Sequence, residues 1–462
     1  MRLNTATALD LQTGDLRLDA SYYASSGQQI NYLFKNSGLR TDRLDQVCQP
    51  NGVFIPGRFR RVYVNNPEHG VRWLSPSDMQ KADLSGLEYV SRKYTPDLDV
   101  LRLHKEWILL SRSGTIGNLV YVRADMDGLI GSDDIIRIVS DPEKILSGYL
   151  FAILSSSLMV RLIQQKTYGA VILHIEAHHV IDLPIPRLEP AQEERIHQLI
   201  EQAAELRVEA QHEIDLLRMK CEQEILGISQ DYKIQWPYEW SYGVGKVKLS
   251  MEDSRLDAFF YIGHTVEYRK FINTGPILNA VAEIKRPGIF KRNYIGKGGV
   301  PFLSGVDIYH IKAEARLWIS PSTTLIDEIT IKQKGTILVQ ADGQRYGILG
   351  RPVFADQKIV GSAVSDHLVR IIPNEPIFGG YIYIYLSTDA GRRELIRGSY
   401  GTSIPTIPLS AFQQLQIPGI YSKVGKDIGK RALNALEKRT QANQLEDHAQ
   451  ELLGEFLGID MH

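Results

Sequence analysis

Cysteine is nearly missing from this 462-residue chain: Cys48 and Cys221 are the only two, and no CxxC spacing occurs. That argues against a disulfide framework or a zinc site, and fits a reducing cytoplasm. No run of about 18 apolar residues is present, so no transmembrane helix is expected. Residues Met1 to Asp15 lack the basic and then apolar build of a secretory signal. Excess charge is missing too. Lys and Arg number 53 against 54 Asp and Glu, a net of −1, which is unpromising for a nucleic-acid binder. The balance is uneven along the chain, however. Glu189 to Leu226 carries ten acidic and four basic residues, and Tyr421 to His462 carries seven and six. The remainder therefore holds a net of about +6, and local charge matters more than the total for contact with phosphate.

That remainder contains an internal repeat. Arg17-Leu18-Asp19-Ala20-Ser21-Tyr22 is echoed by Arg255-Leu256-Asp257-Ala258-Phe259-Phe260. Phe59-Arg60-Arg61 returns as Phe290-Lys291-Arg292, and Trp73-Leu74-Ser75 with Asp78 as Phe302-Leu303-Ser304 with Asp307. The run Trp107 to Gly114 matches Thr336 to Gly343. Ser132-Asp133 with Ile136-Arg137-Ile138 matches Ser365-Asp366 with Val369-Arg370-Ile371. Gly148-Tyr149-Leu150 matches Gly380-Tyr381-Ile382, and Tyr168-Gly169 matches Tyr400-Gly401. Leu183-Pro184-Ile185-Pro186 closes one copy and Leu415-Gln416-Ile417-Pro418 the other. The order never changes, and the offset drifts from 238 to 229 before settling at 232, as small loop insertions would produce. Within a copy, Trp107–Leu110 and Thr336–Val339 read as strands, while Gly148 to Gln165 and Gly379 to Arg397 carry apolar residues at helical spacing.

Each copy leads into a charged segment of a different kind. Gln192 to Leu226 has neither Gly nor Pro and is dense in Glu, Gln, Ala and Leu. This predicts a helix of roughly 50 Å at 1.5 Å per residue. Ile196, Leu199, Ala203, Leu206 and Ala210 form a stripe that then shifts to Ile214 and Leu217; Ala435, Ala442, Leu445, Ala449, Leu452 and Phe456 form a second. Two such stripes suggest a helix pair in the coiled-coil manner, the alternative being that each packs only on its own domain. The expected architecture is α+β: two similar mixed α/β domains separated by two long antiparallel helices. The expected boundaries are 1–188, a central helix at 189–227, 228–420, and a C-terminal helix at 421–462.

This ordered set resembles the specificity subunit of type I restriction–modification enzymes over nearly the whole chain. The marks are the strand and turn Leu109 to Gly117, the paired Tyr-Gly elements, the Leu-x-Ile-Pro exits, and Gln192-Glu193 opening the long helix. The second copy departs from the pattern. It lacks the Ser-Arg-Ser of the first turn, and Gln416 to Ile420 does not continue into a Gln-Glu pair, so the start of the second helix is left open. The resemblance implies two target-recognition domains that read the halves of a split, asymmetric double-stranded DNA sequence. It implies helices that act as a spacer and as a docking platform for two methyltransferase subunits, which bind S-adenosylmethionine and methylate adenine. It also allows restriction motor–nuclease subunits as further partners. The specificity subunit itself does no chemistry and carries no cofactor or metal.

Candidate DNA contacts are basic, aromatic and amide residues on glycine-marked turns, types that suit mixed phosphate and base contact. In the first copy these are Arg58, Arg60, Arg61, Tyr63, Lys93, Tyr94, Arg112, Ser113, Thr115 and Tyr168. In the second they are Lys291, Arg292, Asn293, Tyr294, Lys297, Gln344, Arg345, Tyr346, Tyr400, Thr402 and Ser403. Each is equally a solvated loop residue when taken alone. Arg17 and Arg255 are expected to hold their own domains together. Catalytic signals fail: no Asn/Asp-Pro-Pro-aromatic tetrad for adenine methylation occurs. Gly243-Val244-Gly245-Lys246 has Trp240 where a phosphate loop needs Gly. Glu283-Ile284-Lys285 has the tail of a nuclease triad without a partner carboxylate, and His174, Glu176, His178 and His179 fit no familiar metal spacing. A DNA-reading subunit of another phage-defence system, a nuclease with an unrecognised site, and a protein scaffold are the competing readings.

Overall fold

The computed structural model describes residues 30, 34, 38–113, 116–168, 173–229, 255, 257–261, 272, 275–345 and 347–458. The repeat's opening motif at Arg17 to Tyr22, Leu256 of its second occurrence, and Gly243 to Lys246 therefore lie outside the described residues. The chain forms two compact units. The first is Met1–Val208 with Gln441–His462, and the second is Glu209–Thr440. Both are α+β.

In the first unit, β1 (Thr41–Arg43) pairs with a late strand, and a single helical turn at Leu44–Val47 leads into β2 (Cys48–Phe54). The strands β3 (Tyr63–Val64), β4 (Gly70–Leu74), β5 (Tyr89–Ser91), β6 (Ile108–Ser111), β7 (Leu119–Tyr121), β8 (Ile130–Gly131) and β9 (Ile135–Ser140) follow. They sort into a central sheet of order β2-β9-β6-β7 and a smaller sheet of order β3-β5-β4-β8. Helices α1 (Ser147–Ser155) and α2 (Ser157–Gln165) pack their apolar residues into the central core, and β10 (Pro184–Pro186) returns beside β1. The break between α1 and α2 is capped by Ser156, whose hydroxyl accepts the Met159 N–H, satisfying a donor the new helix would leave free.

The second unit repeats this plan. Its strands are β11 (Ala282–Lys285), β12 (Tyr294–Ile295), β13 (Val300–Leu303), β14 (Leu317–Ile319), β15 (Ile337–Gln340), β16 (Pro352–Phe354), β17 (Ala363–Val364) and β18 (Leu368–Pro373). They form sheets of order β11-β18-β15-β16 and β12-β14-β13-β17, the same two orders as before. Only the β1–β10 pairing is reduced, to a single bridge between Ile277 and Gln416.

Several repeated residues turn out to be structural. Arg137 is fully buried and donates to the carbonyls of Gly131 at 2.8 Å and of Ser132 and Ile135 at 2.6 Å. Arg370 does the same for Ile329, Val364 and Leu368, and burial pulls both guanidinium groups down to about 10. Tyr149 donates to the Pro186 carbonyl and Tyr381 to that of Pro418, which ties each exit strand to its helix.

Two long helices are shared by the units. One, α3, runs Pro190–Lys220; the last, α6, runs Lys423–Leu457 after α4 (Pro376–Ser387) and α5 (Asp389–Arg397). Their seam positions are Ile196, Ile200, Ala203, Arg207, Ala210, Ile214 and Leu217 on α3, with Cys221 in the π-helical turn Cys221–Ile225 that follows it, spaced four and three in alternation. On α6 they are Ile428, Ala432, Ala435, Arg439, Ala442, Glu446, Ala449 and Leu453, each 232 residues further on. The apolar stripe read from the sequence is thus corrected. Leu199, Leu206 and Leu445 flank the seam half-buried, and no register shift occurs, because Arg207 occupies the position that the hydrophobic pattern gave to Leu206. In the second unit the pairing is antiparallel, with Glu209 bound to Lys438 at 2.6 Å, Glu213 to Arg431 at 2.7 Å and Lys220 to Asp427 at 2.8 Å. Among the described residues, no single helix is long and apolar enough to cross a membrane.

Candidate nucleic-acid interface

In each unit the segment joining the central sheet to the small sheet forms an arm, and an arginine pins it. The Arg61 guanidinium sits 4.9 Å over the Trp73 ring, donates to Asp133 at 2.7 Å and pairs with Asp134 at 3.3 Å. In the second unit Arg292 sits 5.3 Å over Phe302 and pairs with Asp366 at 3.4 Å, with Ser365 beside it. Tyr63 and Tyr294 lie edge-on to the same two rings. Half-burial works to lower the Arg61 pKa, but the Asp133 carboxylate outweighs it and the guanidinium is held above its ordinary range. Both arginines are therefore occupied within the protein.

Among the described residues the arm's other cations make no ion pair. Arg58 and Arg60 are exposed and make no ion pair among the described residues. Lys93 lies over the Tyr94 ring in an exposed turn after β5, the strand that pairs with Tyr63. In the second unit Lys291, Asn293 and Lys297 are exposed, Lys297 in a Gly296-Lys297-Gly298-Gly299 turn that needs glycine at Gly298, where φ is +112°.

A second element approaches the same edge. Tyr168 exchanges two backbone hydrogen bonds with His174, and Tyr400 exchanges two with Thr406, so that each Tyr-Gly turn is closed in the same way. In the first unit the turn joins the arm through two ion pairs and a hydrogen bond: Asp134 to Arg112 at 3.6 Å, Arg112 to Glu176, and the Tyr168 hydroxyl donating to Glu176 at 2.8 Å. Burial works to raise the Glu176 pKa, but Arg112 and Tyr168 hold it below the usual carboxylate range. In the second unit a different hub does this work. Asp342 binds Arg286, His367 at 2.9 Å and the Thr406 hydroxyl at 2.7 Å, and His367 directly follows Asp366.

Four of the residues read as candidates from the sequence are accounted for by these contacts. Arg112 is 5% exposed and spent on Glu176 and Asp134, so it braces the turn instead of facing solvent. Arg345 stacks 3.6 Å from the Phe259 ring and donates to the Ser399 hydroxyl, and burial lowers its pKa. Arg61 and Arg292 are the other two. Ser113 is half-buried, bridged to His174. Gln344 donates to the Ser403 carbonyl at 3.2 Å, joining two candidate loops. Tyr400, Thr402 and Ser403 are exposed, while Thr115 and Tyr346 lie outside the described residues. Charge count in a loop does not separate a cation that faces water from one that, like Arg112, faces a carboxylate or, like Arg345, an aromatic ring. Arg92 beside Lys93 and Ile404 beside Ser403, which the sequence does not single out, are exposed as well. In the histidine group, His179 accepts the Glu176 N–H at 3.0 Å through Nδ1, and no group of potential metal ligands is found among the described residues.

No protein-family model matches the sequence, and no curated protein matches it. Among solved structures, the chain is similar to the HsdS subunit from Thermoanaerobacter tengcongensis, at 16% identity over 91% of this chain and 97% of that one, with a TM-score of 0.28. It is also similar to the S subunit of a type I restriction–modification system from M. genitalium, at 14% identity over 91% of this chain and 96% of that one, with a TM-score of 0.33.

Proposed function

We propose that the chain is the non-catalytic specificity subunit of a type I restriction–modification system, reading a split double-stranded DNA target with one half-site per unit. The observation that carries this reading is the repeated rim. Both units bring a pinned arm and a closed Tyr-Gly turn to the same edge of the same sheet pair, yet the exposed side chains differ between them. One scaffold with two different surfaces is what two related but unequal half-sites require. The free cations Arg58, Arg60, Arg92 and Lys93 in the first unit, and Lys291 and Lys297 in the second, supply phosphate contact. The amides and hydroxyls of Asn293, Gln344, Tyr400, Thr402 and Ser403 supply contacts to base edges. Segments 1–188 and 228–420 then act as target-recognition domains, and the helical segments 189–227 and 421–462 as the platform for two methyltransferase subunits that bring S-adenosylmethionine. Motor–nuclease subunits join the same complex.

The test is to map methylated adenines by long-read sequencing in cells with and without this gene. A split motif present with the gene and lost without it is expected. An identical methylome in both, or methylation or cleavage by the purified chain alone, overturns the reading.

A further inference from the structure

Ile404 is 66% exposed at the tip of the Tyr400 turn in the second unit. The turn does not leave it there through slackness. Tyr400 and Thr406 exchange backbone hydrogen bonds at 2.9 and 2.8 Å, the Gly343 N–H donates to the Pro405 carbonyl at 3.0 Å, and Gln344 holds the Ser403 carbonyl. Gly401 takes a φ of +94°, which a side chain would strain. Three residues on, Ile407 is fully buried and anchors the exit.

A lone exposed isoleucine is ordinary on a protein surface. This one recurs. The first copy reads Tyr168-Gly169-Ala170-Val171-Ile172 and the second Tyr400-Gly401-Thr402-Ser403-Ile404. The two middle positions change from apolar to hydroxyl-bearing, while the isoleucine is kept. An isoleucine kept in sequence beside variable neighbours divides the labour: the neighbours differ between the copies, and the isoleucine does not.

The geometry points to Ile404 as a specificity-determining residue that contacts a thymine methyl in the major groove, an inference that rests on the DNA-reading function proposed above. An aliphatic side chain cannot hydrogen-bond to a base edge. The one apolar group that any base presents in a groove is the C5 methyl of thymine. The hydroxyls of Tyr400, Thr402 and Ser403, which have no partner among the described residues, flank the tip and can bond the neighbouring polar edges. The other use of such a side chain, as a wedge between base steps, works by unstacking and does not depend on the methyl.

The test uses the chain in complex with its copurified methyltransferase, and duplexes carrying the mapped motif. Each thymine of either half-site is replaced singly by deoxyuracil, which removes only the methyl. One replacement is expected to weaken binding about fourfold, as loss of one buried methyl predicts. Ile404→Ala should be indifferent to that replacement, Ile404→Val should keep the response, and all three proteins should melt alike. Three results overturn the inference: a target with no thymine in either half-site, tolerance of every replacement by the unaltered chain, or an unchanged response in Ile404→Ala. Failure of the DNA-reading proposal looks different, since the unaltered complex would then bind motif and unrelated duplexes equally, and this inference would fall with it.

Discussion

Arg207 and Glu446 form an ion pair inside the helix seam of the first unit, at positions where a coiled coil ordinarily places apolar residues. Asn443 accepts a second bond from Arg207 at 2.8 Å. In the second unit the repeat partner Arg439 bonds Gln211 at 2.6 Å, but the repeat counterpart of Glu446 is Ile214. Glu446→Ala leaves a largely buried guanidinium without its carboxylate and is expected to destabilise the first unit by about 3 kcal/mol. Joint replacement Arg207→Leu with Glu446→Leu should cost little or even stabilise, because the pair's desolvation then disappears. Urea melts of the purified chain check this, and equal losses in the single and joint variants would refute it.

The same seam shows what the sequence made legible. The internal repeat, the strands around Trp107 and Thr336, and both long helices follow from order, spacing and helix propensity. The seam register did not, because hydrophobic periodicity passes over an arginine whose carboxylate lies about 240 residues away. The rim fared the same way. Tyr168 and Tyr400 were found by repetition, but the difference between Arg58, which faces solvent, and Arg112, which faces Glu176, is set by long-range packing that no local pattern encodes.

Salt dependence separates those two arginines. Each phosphate contact contributes roughly 0.9 to the slope of log affinity against log salt. Arg58→Ala with Arg60→Ala should therefore make the slope shallower by about 2 while leaving the melting temperature unchanged. Arg112→Ala should lower the melting temperature, since Glu176 loses its partner, and leave the slope nearly as it was. Filter-binding or anisotropy titrations across a salt series read both quantities, and a slope unmoved by the Arg58 and Arg60 changes would remove the arm from the phosphate contacts.

Glu222 gives a pH prediction. It lies in the π-helical turn Cys221–Ile225 and accepts the Asp389 N–H at 3.1 Å, so it caps α5 from another element. Burial raises its pKa above the ordinary carboxylate value, with the Asp389 N–H acting in the opposite sense. A raised carboxyl pKa means the folded state holds the proton more tightly than the unfolded state. Its contribution is complete below the ordinary carboxylate range and is lost as pH rises through the folded value. Glu222→Gln keeps the acceptor and removes the charge. It should raise the melting temperature near neutral pH and have no such effect near about pH 4. A gain of the same size at both pH values would contradict this assignment.

The pinned arginines call for a different signature. Arg61 combines stacking on Trp73 with bonds to Asp133 and Asp134, and Arg292 repeats this on Phe302 and Asp366. Lysine keeps the charge but has neither the planar face nor the fork of donors. If these groups position the arms and do not touch phosphate, Arg61→Lys should weaken binding to the mapped motif by loosening Arg58 and Arg60, and the salt slope should stay within a few tenths of its original value. Trp73→Leu should reproduce that behaviour, because it removes the ring and leaves every charge in place. The second unit supplies an internal control. Arg292→Lys should relax preference in the other half-site only, which a panel of duplexes with single substitutions in each half would show. A change in slope of about 1 on Arg61→Lys would instead make Arg61 a phosphate contact, and the pairing with Asp133 would then have to open when DNA binds.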